Sequence, residues 1–400
     1  MKTYEATLQY LTRHIHRTKD PHDGPRNIRR TIRLLKLFGN PQEKYPTIHV
    51  GGTSGKSSTS FLIAKILQES GYKAGLTISP HLQVETERMQ IDGCFASGTE
   101  FIGLINEIKP IVERVEREKK WGRVSYFQIL LAAAFLHFAQ KNVDVAVVET
   151  GIGGHYDATS VINPALSVIT NVELDHTDLL GATVEQIARD EREIIKRGVP
   201  VVTGAKQQKV VRLIKEKAKR MNAPFILVNT KGQRTYQKAN AVLAQEAAEQ
   251  LKKIGFTNIT PKSVKQALAT AFLPGRIEII SRNPTLILDA AHNIDKMRAL
   301  AASLQNLFPG EKFYIILARS HRRYQKQMIE SLRPITEKLF LTRIKDSAKT
   351  LKTVLTRTRH DKILATGSFF LVDQIRSLYY PKIEVLEKRG YYTKVTSIPS

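Results

Sequence analysis

The stretch Gly52-Thr53-Ser54-Gly55-Lys56-Ser57-Ser58 carries the residue types that a phosphate group needs. Two glycines allow a tight backbone path whose N–H groups converge on an anion, a lysine supplies a cation, and a following hydroxyl can reach a divalent metal. The strict G-x-x-x-x-G-K-[ST] spacing asks for glycine at position 50, where Val50 stands. Taken alone, the stretch therefore also reads as a glycine-rich turn before an ordinary helix. Three further stretches offer chemistry: Ser79-Pro80-His81, Glu149 followed by Gly151, Gly153 and Gly154, and Asp175-His176. By itself Ser-Pro-His is a turn. A glutamate closing a very apolar run is another matter, because burying it is costly unless it is paired or bound to a metal. Serine, glutamate and histidine delivered from three strand ends would suit a hard cation that also carries phosphate oxygens and water.

The elements that must position these residues follow from hydrophobic periodicity. "TIHV" reads as a short buried strand, and Leu62, Ile63, Ile66 and Leu67 recur at helical spacing until Gly71 closes the helix. Strands are expected at "YKAGLTIS", "VDVAVVET", "ALSVITNV" and "VPVVTG", with helices between them. Continuous apolar strands alternating with helices predict a parallel sheet covered on both faces. Near Leu273-Pro274-Gly275-Arg276 the pattern restarts, with "TLILDAA", "FYIILA", "KLFLTR" and "KILATGS" alternating with helical stretches. Two domains are expected, 1–273 and 274–400, as 400 residues exceed one ordinary domain.

Composition narrows the classes. The N-terminus lacks the apolar core of a signal peptide, and no run of about eighteen apolar residues occurs, so a membrane partner is not expected. Cys94 is the only cysteine, which removes intrachain disulfides and cysteine-based metal sites and makes the cytoplasm the expected compartment. The net charge of +25 is compatible with nucleic acid, with a polyanionic small substrate, or with a solvated basic surface. The basic residues are dispersed and show neither RNP-type nor zinc-finger spacing, so charge alone decides nothing.

In their order along the chain, these stretches resemble the Mur ligase superfamily, and most closely its folylpolyglutamate synthase/dihydrofolate synthase branch. That family carries a compact G-T-x-G-K loop, which removes the difficulty at Val50. "LLKLFGNPQEKYPTIHVGGTSGKSS", "ETGIGGHYDATSVI", "TYQKANAVLA", "PGRIEII…LILDAAHN" and "ILATGSFFLVDQIR" each resemble its segments and are colinear with them over most of the chain. The resemblance implies an α/β fold: a P-loop-type, mostly parallel sheet flanked by helices, plus a smaller C-terminal Rossmann-like domain. It implies a reaction in which ATP phosphorylates a carboxylate and an amino acid's amine displaces the phosphate. L-glutamate added to a folate, as in tetrahydrofolate polyglutamylation, is the leading expectation, and whether dihydropteroate is also accepted stays open. A Mur-type ligase on a non-folate acid and a basic P-loop ATPase or nucleic-acid-binding module are the alternatives. The expected cofactors are ATP and Mg²⁺, the expected form is a monomer, and no specific nucleic-acid partner is expected.

By the same resemblance, Lys56 would hold the β- and γ-phosphates, within a nucleotide loop of Gly52, Thr53, Ser54, Gly55, Ser57 and Ser58. Ser57, Ser79, Glu149 and His176 would serve Mg²⁺. Asn240, Arg276, Asp289 and His292 would contact the nucleotide, and the site would be completed when the domains close. Where the family carries a lysine that becomes carbamylated, "RDEREIIK" places Glu191. Glu191 is therefore expected either to help hold a second Mg²⁺, directly or through a bridging water and without CO₂, or to be a solvent-facing helix residue in a charged run. Other departures are His155-Tyr156 before Asp157, Ser160 in the following D-x-T-N motif, and "RSHRRYQ" after "FYIILA". There Arg319, Arg322 and Arg323 would either bind a glutamate carboxylate or form a solvated loop.

Overall fold

The computed structural model describes residues 1–15, 24–318, 325–357 and 362–395. The chain forms two compact units: Met1–His81, Glu85–Lys231 and Asn240–Ala271 make the first, and Leu82–Val84, Gly232–Ala239 and Phe272–Ser400 the second.

In the first unit, eight strands form one sheet: β1 (Thr47–Gly51), β2 (Ala74–Thr77), β3 (Gln90–Ile91), β4 (Cys94–Phe95), β5 (Val145–Glu149), β6 (Leu166–Ile169), β7 (Val201–Thr203) and β8 (Phe225–Leu227). Their order is β4-β3-β2-β5-β1-β6-β7-β8. All neighbours from β2 to β8 pair parallel, while β3 and β4 add an antiparallel edge. Every residue of β1, β5 and β6 is buried, which is why these strands read as unbroken apolar runs rather than alternating ones. The helix Tyr126–Gln140, "YFQILLAAAFLHFAQ", is buried around most of its circumference and anchors a core cluster with Leu34, Phe101, Ile108 and Val148. The helix Lys56–Glu69 begins at the end of the loop after β1, and Gly71 beyond it has φ +83°, as a left-handed helix stop requires.

Expected strands thus appear where hydrophobic runs predict them, and three features depart from that reading. The β3–β4 hairpin uses only two residues per strand, too few to show a period. β8 has three residues, of which Phe225 and Ile226 are partly covered and Leu227 is exposed. In the second unit, β9 (Glu278–Arg282) has polar residues at both ends and lies at a sheet edge.

The second unit holds β9, β10 (Thr285–Asp289), β11 (Phe313–Ala318), β12 (Thr336–Thr342) and β13 (Lys362–Thr366) in the order β12-β11-β13-β10-β9. Only β9 runs antiparallel. Its core gathers Ile287, Ile315, Leu317 and Leu364 with Met297, Leu300 and Leu304 of the helix Ile294–Leu307. Arg376 is buried beside Glu278 at 2.9 Å, so the two charges enter the interior as a pair.

Candidate active site

Four loops leave the C-terminal ends of β1, β2, β5 and β6, the end of a parallel sheet where ligands bind. The first is the glycine loop. Gly52 has φ +117°, and a Cβ there would lie inside van der Waals contact of Thr170 Oγ1, with Asn171 O at 3.0 Å. Gly55 has φ +90°, and its Cβ would lie 2.6 Å from Asn240 Oδ1, so Asn240 packs directly on the loop. Glycine is demanded at both positions by backbone angle and by space. Thr53 is tied to the end of β6: its N–H donates to Asn171 O at 2.8 Å, and its hydroxyl oxygen accepts the Glu173 N–H at 2.8 Å. Ser54 bridges to Asn171 as well.

Lys56 opens the helix and donates from Nζ to Gly52 O at 2.7 Å. The first-turn N–H groups of this helix have no intrahelical acceptors and face its N-terminus, where anions are favoured. Ser57 donates from Oγ to Glu149 Oε1 at 2.9 Å, and the Ser79 N–H donates to Glu149 Oε2 at the same distance. Glu149 is 3% exposed. Ser58 is buried in the first helical turn. The structure therefore brings together Ser57 from the first turn of the helix, Ser79 from the loop after β2 and Glu149 from the end of β5.

Those three supply hard oxygen donors and one carboxylate, which fits Mg²⁺, an ion that keeps several waters and relies on phosphate oxygens. Among the described residues no three His, Cys, Asp or Glu side chains form a group able to hold a metal alone. His176 is exposed at φ +47°, ahead of the short helix Thr177–Leu180. Its N–H donates to Asp175 Oδ1 at 3.0 Å.

Glu191 is not solvent-facing. It ends the helix Val184–Glu191, is 1% exposed, and accepts the Gly52 N–H on Oε2 at 2.9 Å. Burial pushes its carboxyl up to about 7; the Lys56 ammonium and the Gly52 N–H pull the other way. Its neighbour Asp190 accepts the Gly154 and His155 N–H groups on Oδ1 at 2.7 and 3.3 Å. Asp157 accepts from Gly151 and Ile152 N–H on Oδ2, and from Thr159 on Oδ1. Burial raises its carboxyl too, against those hydrogen bonds.

Arg276, Asp289 and His292 lie in the second unit. Asp289, 2% exposed, accepts from Tyr236 OH at 2.5 Å, Ile277 N–H at 2.9 Å and Ala291 N–H at 2.9 Å. Burial raises the Asp289 carboxyl, and burial followed by the Asp289 charge raises the Tyr236 hydroxyl. Arg276 donates to Gly275 O and lies 5.0 Å over the Phe369 ring, which also stands 5.5 Å from the His292 ring. His292 Nδ1 meets Ala290 O at 2.8 Å and Nε2 meets Lys296 Nζ at 3.1 Å. Tyr236, Phe369, Lys296 and Asp190 join these settings without having been singled out from sequence. Tyr236 stands in the quoted "TYQKAN" and Phe369 in "ATGSFF", but neither type signals a site until its neighbour is known. Arg319, Arg322 and Arg323 lie outside the described residues.

Comparison with known proteins gives a consistent picture. The Mur ligase middle domain pattern matches residues 50–276, and the Mur ligase glutamate ligase domain pattern matches residues 275–376. A dihydrofolate synthase/folylpolyglutamate synthase of Bacillus subtilis is 33% identical over 337 residues, covering 76% of this chain and 78% of that protein. A folylpolyglutamate synthase of Lacticaseibacillus casei is 33% identical over 340 residues, covering 76% and 77%. Among solved structures, an FPGS–AMPPCP–folate complex superposes with TM-score 0.85 at 31% identity, covering 94% of this chain and 99% of the other. A Mycobacterium tuberculosis folylpolyglutamate synthase complexed with ADP superposes with TM-score 0.82 at 26% identity, covering 94% and 98%.

Proposed function

The chain belongs to the Mur ligase family, in its folylpolyglutamate synthase/dihydrofolate synthase branch, and from that premise we infer that it is an ATP-dependent ligase adding L-glutamate to a folate. The observation that carries the reading is the convergence of Ser57 and the Ser79 N–H on the two oxygens of buried Glu149, beside a loop opening a helix with Lys56. A carboxylate is a poor electrophile because it would have to expel oxide. Phosphorylation by ATP gives an acyl phosphate, whose leaving group is phosphate, and the glutamate amine then forms the amide.

This chain's residues have distinct parts in that sequence. Lys56 and the first-turn N–H groups stabilise charge on the transferred phosphoryl group. Ser57, Ser79, Glu149 and His176 are proposed to serve Mg²⁺, which when bound would neutralise phosphate charge. Gly52, Thr53, Ser54, Gly55 and Ser58 shape the loop. Asn240, Arg276, Asp289 and His292 are proposed nucleotide contacts, and Glu191 supports the loop. Residues 1–273 are proposed as the ATP-binding domain and 274–400 as the C-terminal domain. The reading extends to a monomer acting in the cytoplasm with no specific nucleic-acid partner; among the described residues, no helix is long and apolar enough to cross a membrane.

The test incubates the protein with Mg²⁺-ATP, L-glutamate and tetrahydrofolate, following phosphate release and the mass of the folate. Phosphate release that needs both co-substrates, with a folate heavier by one glutamyl residue, is expected. Release in their absence, or only with a non-folate acid, would overturn it. Dihydropteroate in place of tetrahydrofolate reads the second acceptor.

A further inference from the structure

The helix Val184–Glu191 ends in two adjacent carboxylates, and each grips a different glycine loop. Glu191 Oε2 accepts the Gly52 N–H at 2.9 Å, while Asp190 Oδ1 accepts the Gly154 N–H at 2.7 Å and the His155 N–H at 3.3 Å. The fit around them is close. A Cβ on Gly51 would lie 3.3 Å from Glu191 Oε2 and 2.9 Å from Ile194 Cδ1, and one on Gly154 would lie 2.6 Å from Glu191 O. The Gly52 residue is held from both sides, because its carbonyl accepts Lys56 Nζ at 2.7 Å. Thr150, fully buried next to Glu149, has a hydroxyl with no hydrogen-bond partner among the described residues, so it does not share in holding these loops.

We propose that Asp190 and Glu191 are positioning residues that set the phosphate loop and the loop after Glu149 in register with one another, through backbone N–H groups. On this assignment Glu191 acts as a hydrogen-bond acceptor for Gly52 rather than as a ligand of a second Mg²⁺. The assignment rests on the ligase reading only in taking the loop as a nucleotide site. Three charged groups face Glu191: Lys56 from the helix after the loop, Asp157 from the turn after β5, and Asp190 from its own helix. The N–H contact itself asks only for an acceptor oxygen, and the assignment makes that acceptor, rather than the charge, what the loop uses.

That distinction selects the variants. Glu191→Gln keeps an acceptor oxygen of the same reach and loses the charge, whereas Glu191→Met keeps the volume and loses the acceptor. The probe is ADP with Mg²⁺ in isothermal titration calorimetry, alongside a Mg²⁺ titration of turnover. E191M is expected to weaken ADP about 10- to 100-fold, as an unsatisfied buried N–H does. E191Q is expected to stay within about threefold of the wild type, as one acceptor replaces another. The Mg²⁺ needed for half-maximal turnover should not move in E191Q. D190A, which frees Gly154 and His155 and leaves Gly52 held, should lower turnover about tenfold while sparing ADP affinity.

The proposal is overturned if E191Q loses affinity as E191M does and needs more Mg²⁺, since that is how a metal ligand behaves. It is also overturned if E191M binds ADP like the wild type, or if D190A weakens ADP as much as E191M. Should E191M fail to fold, E191A replaces it, and the E191Q comparison decides the matter by itself. If the wild type binds no ADP, the ligase reading has failed rather than the positioning one.

Discussion

Replacing Gly52 by alanine tests whether the loop is held as described. Two costs can be worked from the structure. At φ +117° an L-residue sits outside its allowed regions, a strain of about 1–3 kcal/mol. The added Cβ also meets Thr170 Oγ1, Asn171 O at 3.0 Å and Thr170 N at 3.1 Å. The last two are backbone atoms that cannot rotate away, and turning the Thr170 hydroxyl aside breaks its 3.1 Å bond to Gly51 O, about 1 kcal/mol. Alanine's stiffer unfolded chain returns about 0.4–1 kcal/mol. A net loss of about 1–4 kcal/mol remains, which corresponds to about 5- to 1000-fold in ADP affinity if binding must restore the loop. Calorimetric titration with ADP and Mg²⁺ measures it. Gly71→Ala is the control, because Gly71 has φ +83° with nothing within 4 Å of its Cβ position and so feels the backbone strain alone. Its ADP affinity should match the wild type. A G52A protein that binds ADP within about twofold of the wild type would refute the reasoning.

Two further outcomes follow from buried groups. Burial raises the Glu191 carboxyl from the ordinary 4.5 to about 7. The folded chain therefore holds that proton more tightly than the unfolded chain, and the group's stabilising share is complete below about pH 4.5 and lost as pH rises through about 7. Relative to E191Q, the wild type should lose about 3 kcal/mol between those limits, read from their thermal transitions at pH 5 and pH 8; a wild-type transition that does not fall relative to that of E191Q as pH rises would contradict it. Tyr236→Phe removes the 2.5 Å hydroxyl donor from buried Asp289, and should destabilise the second unit by about 1.5–3 kcal/mol, measured by urea unfolding; an unchanged midpoint would show that Asp289 does not depend on it.

The parts of this fold that were legible are those with a local signature. β1, β5 and β6 are buried on both faces, so each writes itself as a continuous apolar run, and Gly52, Gly55 and Gly71 sit where backbone angles admit little else. The candidate site was legible in part for the same reason, since Glu149 closes β5, Ser79 stands just past β2 and Ser57 opens the helix that follows β1. What did not show was whatever depends on distant packing. Glu191 lies in a run of charges from Arg189 to Glu193, and nothing nearby in sequence says that it is buried against Gly52, which is 139 residues away. Tyr236 likewise acquires its meaning only from Asp289, and the two-residue strands β3 and β4 are too short to carry any period.

The central claim, that this chain activates a folate carboxylate by phosphorylation, is tested most directly by isotope transfer. A folate carrying ¹⁸O in the carboxylate that receives glutamate is turned over with Mg²⁺-ATP and L-glutamate, and the released phosphate is analysed by mass spectrometry. Transfer of one ¹⁸O atom into each phosphate is the predicted result, because the carboxylate oxygen leaves bound to phosphorus when the amide forms. Phosphate without the label, alongside glutamylated folate, would contradict the account.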